Sequence, residues 1–205
     1  MGRQRGKHTF TVVSFATPLP RMYRRKLGNM KQKCKKLGLP MFPRIVDFMG
    51  FQKATLYKPT FIKEMLGFGT IVWIDADCEV LNTFELPSGD WDVGFMPHPI
   101  DKNRNNYTPW CGFLIALKPT EKTKRFVDLW EYLCQWQGLR QGDHERMMWA
   151  LATMQSQEHK IEVINLLQNL RGNIYMDPRH RKRTTFENIS TELDSWNPVM
   201  KTVWS

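Results

Sequence analysis

Apolar positions along the chain fall into short runs that alternate between strand-like and helix-like spacing. Residues 9–15, Thr-Phe-Thr-Val-Val-Ser-Phe, are rich in β-formers and predict a strand. Thr17-Pro18-Leu19-Pro20 stops it, because proline cannot continue a central ladder. Residues 21–38 predict a basic helix with a thin apolar stripe of Met22, Leu27 and Met30. Gly38 ends it, and Pro40 and Pro43 oppose its resumption. Residues 44–48, Arg-Ile-Val-Asp-Phe, predict a second strand, and Pro59 opens a helix that runs to Leu66 and closes at Gly67-Phe68-Gly69. A buried-type strand follows at residues 70–74, then a short strand at 91–96 and a further buried strand at 111–117. A strongly amphipathic helix is expected over 120–135, with Phe126, Leu129, Trp130 and Leu133 at helical spacing. Another begins at Asp143, with Met147, Met148 and Leu151 facing inward.

This alternation predicts an α/β fold, with a largely parallel sheet covered by helices on both faces. Ligands in such sheets bind beyond the C-terminal strand ends. Residues 15–18 and 75–77 both fall there. A length of 205 residues suits one domain spanning 1–205. Its N-terminal segment is basic, and residues from about Gly172 onward are polar and charged, as in a lid or an arm.

The sharpest chemical signal is where the apolar run Thr70-Ile71-Val72-Trp73-Ile74 meets Asp75-Ala76-Asp77. Strand side chains alternate between faces, so strand geometry would aim both carboxylates to one side. Two hard oxygen ligands side by side suit Mg²⁺ or Mn²⁺, whose other positions are commonly filled by substrate phosphates. Aspartates that merely cap a turn are the structural alternative.

Val72-Trp73-Ile74-Asp75-Ala76-Asp77, preceded by Tyr57-Lys58-Pro59-Thr60-Phe61-Ile62, resembles the nucleotide-diphospho-sugar glycosyltransferases of the GT-A fold. The likeness extends more loosely from about Thr9 to about Ala152. It implies a GT-A-like (Rossmann-like) mixed, mostly parallel sheet, and a Mn²⁺ or Mg²⁺ ion on the diphosphate of a sugar donor, more often a UDP-sugar. Asp77 would be the stronger metal ligand; Asp75 would bind the metal or contact the donor's ribose or sugar, with Ala76 between them in the donor site. Ser14, Phe15, Ala16 and Thr17 resemble the first-strand loop that receives the nucleoside, and Lys58 would neutralise the diphosphate. Trp110-Cys111-Gly112-Phe113 resembles the segment that sets a glycine against the donor sugar, although Cys111 replaces the more usual small hydroxyl residue. Gly142-Asp143-His144-Glu145-Arg146 resembles the helix start that faces the acceptor. Asp143 would act there as base or orienting group, unless it is simply an N-cap. His144 would lie beside the acceptor, and the family's third metal ligand would be His180, with His98 the second choice.

The net charge of +10 is localised. No acidic residue precedes Asp47, whereas Lys and Arg recur from Arg3 to Arg44, and a second basic knot spans residues 179–183. Such clusters favour a polyanionic partner or simply keep a surface solvated. The partners expected are therefore a nucleoside-diphosphate sugar and an acceptor such as DNA. A hydroxylated base would be flipped out and stacked on Trp110 or Tyr107. Transfer to protein or polysaccharide is the competing acceptor reading, and a non-enzymatic nucleic-acid-binding module the competing class. No zinc-finger spacing and no phosphate-binding Gly-Lys-[Ser/Thr] loop supports that module. No apolar run approaches the ~18 residues of a membrane span, and residues 1–19 make a poor signal peptide, so a cytoplasmic chain is expected. Cys34, Cys78, Cys111 and Cys134 are scattered, as reduced structural thiols are.

Overall fold

The computed structural model describes residues 9–47, 49–97, 110–136, 142–156, 160–170 and 173–176. Six strands form the main sheet: β1 (Thr11–Ala16), β2 (Met41–Ile45), β3 (Ile71–Ile74), β5 (Val93–Pro97), β6 (Trp110–Leu117) and β7 (Val163–Asn165). Their spatial order is β2-β1-β3-β6-β5-β7. β1 lies parallel to β2 and β3, and β5 parallel to β7, while β6 runs antiparallel to both neighbours. The sheet is thus mixed and mostly parallel, as the alternation of elements predicts. A two-stranded ribbon pairs β4 (Cys78–Val80) with β8 (Ile174–Met176).

Period-two alternation builds a core on each face of the sheet. Val13, Phe15, Ile71, Trp73, Phe95, Ile115 and Leu117 face one way. They pack against α3 (Lys58–Leu66), α4 (Glu121–Gln135) and α5 (Asp143–Ser156), through residues such as Phe61, Phe126, Trp130 and Met147. Val12, Val72, Ile74, Leu114 and Ala116 face the other way, against α1 (Arg21–Leu37), α6 (Leu167–Leu170) and the small ribbon.

Several boundaries differ from those predicted. β2 begins earlier and runs through Pro43, which the edge position of the strand tolerates because no outer neighbour needs its N–H. Helix α1 ends at Gly38 as expected, with φ 75° and its N–H turned back to the last carbonyls. Its buried stripe is Leu27, Met30 and Cys34, with Met22 only half-buried. A short helix α2 (Phe51–Leu56), strand β7, helix α6 and strand β8 carry too few residues for periodicity to reveal.

Buried Asp92 is a polar anchor for both α4 and β7. Thr120 caps α4 by accepting from the Thr123 N–H, and its hydroxyl donates to the buried Asp92 carboxylate at 2.6 Å. The other Asp92 oxygen accepts from the Glu162 N–H at 2.8 Å, tying the start of β7 to the same point. Among the described residues, no helix is long and apolar enough to cross a membrane.

Candidate active site

β1 and β3 are parallel neighbours, with Val13 opposite Trp73, so their C-terminal ends emerge side by side. Ala16, closing β1, packs with Ala76 and with Leu27 of α1. β3 stops at Ile74, short of the aspartates. The Asp75 N–H donates to the Phe113 carbonyl on β6 at 2.9 Å, and the Cys78 N–H returns to the Asp75 carbonyl at 2.9 Å. Residues 75–78 therefore form a tight turn. Strand alternation puts Asp75 on the side of Trp73, whose indole N–H donates to Asp75 Oδ1 at 2.8 Å. Asp77 is carried by the turn and not by the strand, and both carboxylates stay partly exposed.

Lys58 organises the site. It opens α3, with Pro59 pre-set for the first helical turn, and its side chain is 7% exposed. Its Nζ lies 3.1 Å from Asp75 Oδ1, 2.9 Å from Asp143 Oδ2 and 3.2 Å from the Gly112 carbonyl oxygen. An ammonium has three N–H donors, and here three acceptors meet them. The Trp73 ring lies beneath, its centroid 5.5 Å from Nζ. Burial works against the charge, but Asp143 and Asp75 outweigh it and hold Lys58 above the usual lysine range. Burial pushes the Asp75 carboxyl up, against the pull of Lys58, and the neighbouring Asp143 and Asp77 add to that rise.

Asp143 is anchored from behind. Its backbone carbonyl accepts the Trp130 indole N–H at 3.0 Å. One turn on, buried Arg146 donates to the carbonyls of Leu133 and Cys134 at 2.8 and 2.6 Å, occupying the otherwise orphaned last turn of α4. The start of α5 is thereby fixed to the end of α4, and the Asp143 side chain, 14% exposed, is aimed at Lys58. The His144 ring hydrogen-bonds the Trp110 carbonyl. The Trp110 ring stacks on Phe95 at 6.0 Å between centroids. A methyl built on Gly112 would stand 3.9 Å from Lys58 Nζ and from the His144 ring, in ordinary contact.

The residues named from sequence thus fall into two groups. Lys58, Asp75, Gly112, Asp143 and His144 converge within hydrogen-bonding or van der Waals reach of one another. The β1 end contributes differently. The Phe15 ring is buried among Tyr57, Phe61 and Trp73, and the Thr17 hydroxyl donates to the Leu19 carbonyl at 2.6 Å. Ser14 is fully buried, and its hydroxyl has no hydrogen-bond partner among the described residues. Cys111 is buried, with its thiol against the Pro97 carbonyl. His98, Tyr107, His180 and the basic knot lie outside the described residues. Among the described residues, no group of three or more His, Cys, Asp or Glu side chains could hold a metal ion.

Trp73, Trp130 and Arg146 are the supports that sequence reasoning passed over. The signal for Trp73 was its place two residues before Asp75, on the same side of the strand. Arg146 had one too: a guanidinium on the inward stripe beside Met147 must find carbonyls or carboxylates to be buried at all.

No protein-family model matches the chain, and no curated protein matches its sequence. Solved structures do match its fold. A glycosyltransferase involved in the glycosylation of the major capsid of PBCV-1 superposes with a TM-score of 0.59 at 9% identity, covering 89% of this chain and 98% of that one. The glycosyltransferase GlyE of Streptococcus pneumoniae TIGR4 superposes with a TM-score of 0.50 at 10% identity, covering 80% of this chain and 47% of that one. The chain has a glycosyltransferase fold of the GT-A-like kind. On that fold, α3, the β3 turn, β6 and the start of α5 each supply one member of the Lys58 cluster.

Proposed function

We propose that the chain transfers a sugar from a nucleoside-diphosphate sugar, a UDP-sugar being favoured, to an acceptor hydroxyl, with Mn²⁺ or Mg²⁺ as cofactor. The observation that carries this reading is Lys58 bridging Asp75 and Asp143 at the C-terminal sheet edge of a glycosyltransferase fold. Asp75 and Asp77 would hold the ion. A pair of carboxylates completed by phosphate oxygens and water suits a hard divalent cation, and His180 would supply a further ligand. When bound, such an ion neutralises the diphosphate as the glycosidic bond breaks.

The protein's own side chains divide the remaining work. With all three N–H groups engaged, Lys58 acts as a positioning residue. It holds donor-side Asp75 and acceptor-side Asp143 at fixed spacing, and reaches the diphosphate through Asp75. The backbone of Phe15, Ala16 and Thr17 receives the nucleoside, and Ala76 and Gly112 leave room for the ribose and sugar. Asp143 accepts the proton of the acceptor hydroxyl as its oxygen bonds to the anomeric carbon and the diphosphate departs with the bonding electron pair. His144 and Trp110 line the acceptor side.

The favoured acceptor is a hydroxylated base in DNA, on the strength of the localised positive charge. A protein or polysaccharide acceptor is the alternative, favoured by the capsid glycosylation in which the PBCV-1 enzyme is involved. Calorimetric titration with nucleoside diphosphates, without metal and with Mn²⁺ or Mg²⁺, tests the donor half. Saturable, metal-dependent binding of one diphosphate, lost in Asp77→Asn, is expected, and no binding of any with either ion would contradict it. Incorporation of labelled sugar into DNA carrying hydroxymethylated pyrimidines, against incorporation into protein or glycan, separates the acceptors.

A further inference from the structure

We propose that the solvent face of α1 is a docking surface for nucleic-acid phosphates, placed beside the candidate donor site. The helix buries Leu27, Met30 and Cys34. Its opposite face exposes Arg21, Arg24, Arg25, Lys31, Lys35 and Lys36, and the helix contains no acidic residue. None of these six forms an ion pair among the described residues. The pattern does not serve the helix. Arg21 and Arg25, like Lys31 and Lys35, are like charges four residues apart, and a cation in the first turn opposes the helix dipole. A chain selected only for a stable helix would have mixed in acids.

Two further features give the charge a shape. Pro18, Leu19, Arg21, Arg24 and Arg25 line an open groove of about 510 Å³. Arginine's planar fork grips phosphate oxygens in pairs, and three arginines are among the residues that line this open groove. The groove begins at the loop that leaves β1, directly after Ala16 and Thr17. From Arg21 to Lys36 the basic face runs roughly 22 Å at the helical rise, long enough to follow several successive phosphates. A lipid surface is the weaker match: Leu19 is exposed at the groove, but the exposed positions of the helix itself carry no apolar side chain to insert among acyl chains. The inference rests on the proposed function only for its use: the groove end of α1 adjoins the β1 loop, and Leu27 packs on Ala16 and Ala76 there.

The test is anisotropy of fluorescein-labelled duplex and single-stranded oligonucleotides with the full chain, across a salt series. Three variants are compared with the native protein: Arg21→Gln/Arg24→Gln/Arg25→Gln, Lys31→Gln/Lys35→Gln/Lys36→Gln, and Arg179→Gln/Arg181→Gln/Lys182→Gln/Arg183→Gln. The α1 positions are exposed, and circular dichroism checks that the helix survives. Each α1 triple is expected to weaken binding at least tenfold at low salt. The slope of log affinity against log salt should flatten by about 2 to 3, at roughly 0.9 for each phosphate no longer neutralised. Native-like binding by both α1 triples, with loss confined to the 179–183 variant, would overturn the proposal. So would binding to vesicles containing anionic lipid with none to oligonucleotide. No sugar donor is present in this assay, so its outcome is separate from that of donor turnover.

Discussion

The ammonium of Lys58 stands 2.9 Å from the carboxylate of Asp143, deep enough that neither side chain is more than 14% exposed. The same nitrogen is 3.1 Å from Asp75. One cation therefore compensates two carboxylates drawn from different elements of the fold. Removing it leaves two negative charges facing one another in a poorly solvated pocket.

Lys58→Met is accordingly expected to cost about 3–5 kcal/mol of unfolding free energy, the usual penalty for breaking a buried pair from one side. Adding Asp143→Asn should recover part of that stability, because one orphaned charge is gone, and should leave sugar transfer abolished. Urea unfolding of the single and double variants, read beside product formation, separates the structural from the chemical role.

Trp73→Phe keeps an aromatic ring under Lys58 and deletes the N–H that holds Asp75. The lost bond costs about 1 kcal/mol, and the volume vacated by a buried indole adds a cavity cost of about 1–3 kcal/mol. If Asp75 orientation governs donor binding, KM for the sugar donor should rise in the variant that remains folded, whatever the fall in its unfolding midpoint. Steady-state kinetics against thermal unfolding decide the point.

Two glycines should respond in opposite ways to alanine. At Gly94 the new methyl would lie 2.8 Å from Leu166 Cδ2 and 3.1 Å from Ile164 Cγ1, so these packed side chains must shift, at about 1–3 kcal/mol. At Gly112 the same methyl meets nothing closer than 3.9 Å. On the proposed reading of Gly112 as part of the donor site, Gly112→Ala should fold with native stability and lose donor turnover, because the methyl would take up space left for the sugar.

All four cysteines are buried and free. Burial raises the Cys34 thiol to about 11 and the Cys134 thiol to about 12, and pushes Cys78 and Cys111 well above the ordinary thiol range. Folding thus opposes ionisation, and thiolate is scarce at pH 8 in the native state. Ellman titration at pH 8 should find almost no reactive thiol without denaturant and all four in guanidinium. Rapid native-state reaction of any of them would contradict this packing.

Much of the architecture was legible because it rests on periodicity. β1, β3, β6, α1, α4 and α5 each bury a face whose spacing shows in the chain, and the turn at Gly38 needs a residue that tolerates positive φ. The misplaced start of β2 turned on Pro43, since sequence alone does not say which strand is an edge. β7, α6 and β8 are three or four residues long, below what any period can mark. At the site, residue types pointed to Asp75 and Asp77, and the family resemblance pointed to Lys58, Gly112 and Asp143. The ion-pair cluster that joins four of them is a long-range contact and had no local trace. Lys58, expected beside a diphosphate, has its ammonium met in the structure by Asp75, Asp143 and the Gly112 carbonyl.

The most direct measurement is release of nucleoside diphosphate from UDP-, GDP-, ADP- and dTDP-sugars with Mn²⁺ or Mg²⁺, comparing the native chain with Asp77→Asn. Turnover of one donor is expected, abolished by chelation and reduced at least a hundredfold in the variant, whose unfolding midpoint stays native. Turnover indifferent to both chelation and Asp77→Asn, or none with any donor, would contradict metal-dependent sugar transfer at this site.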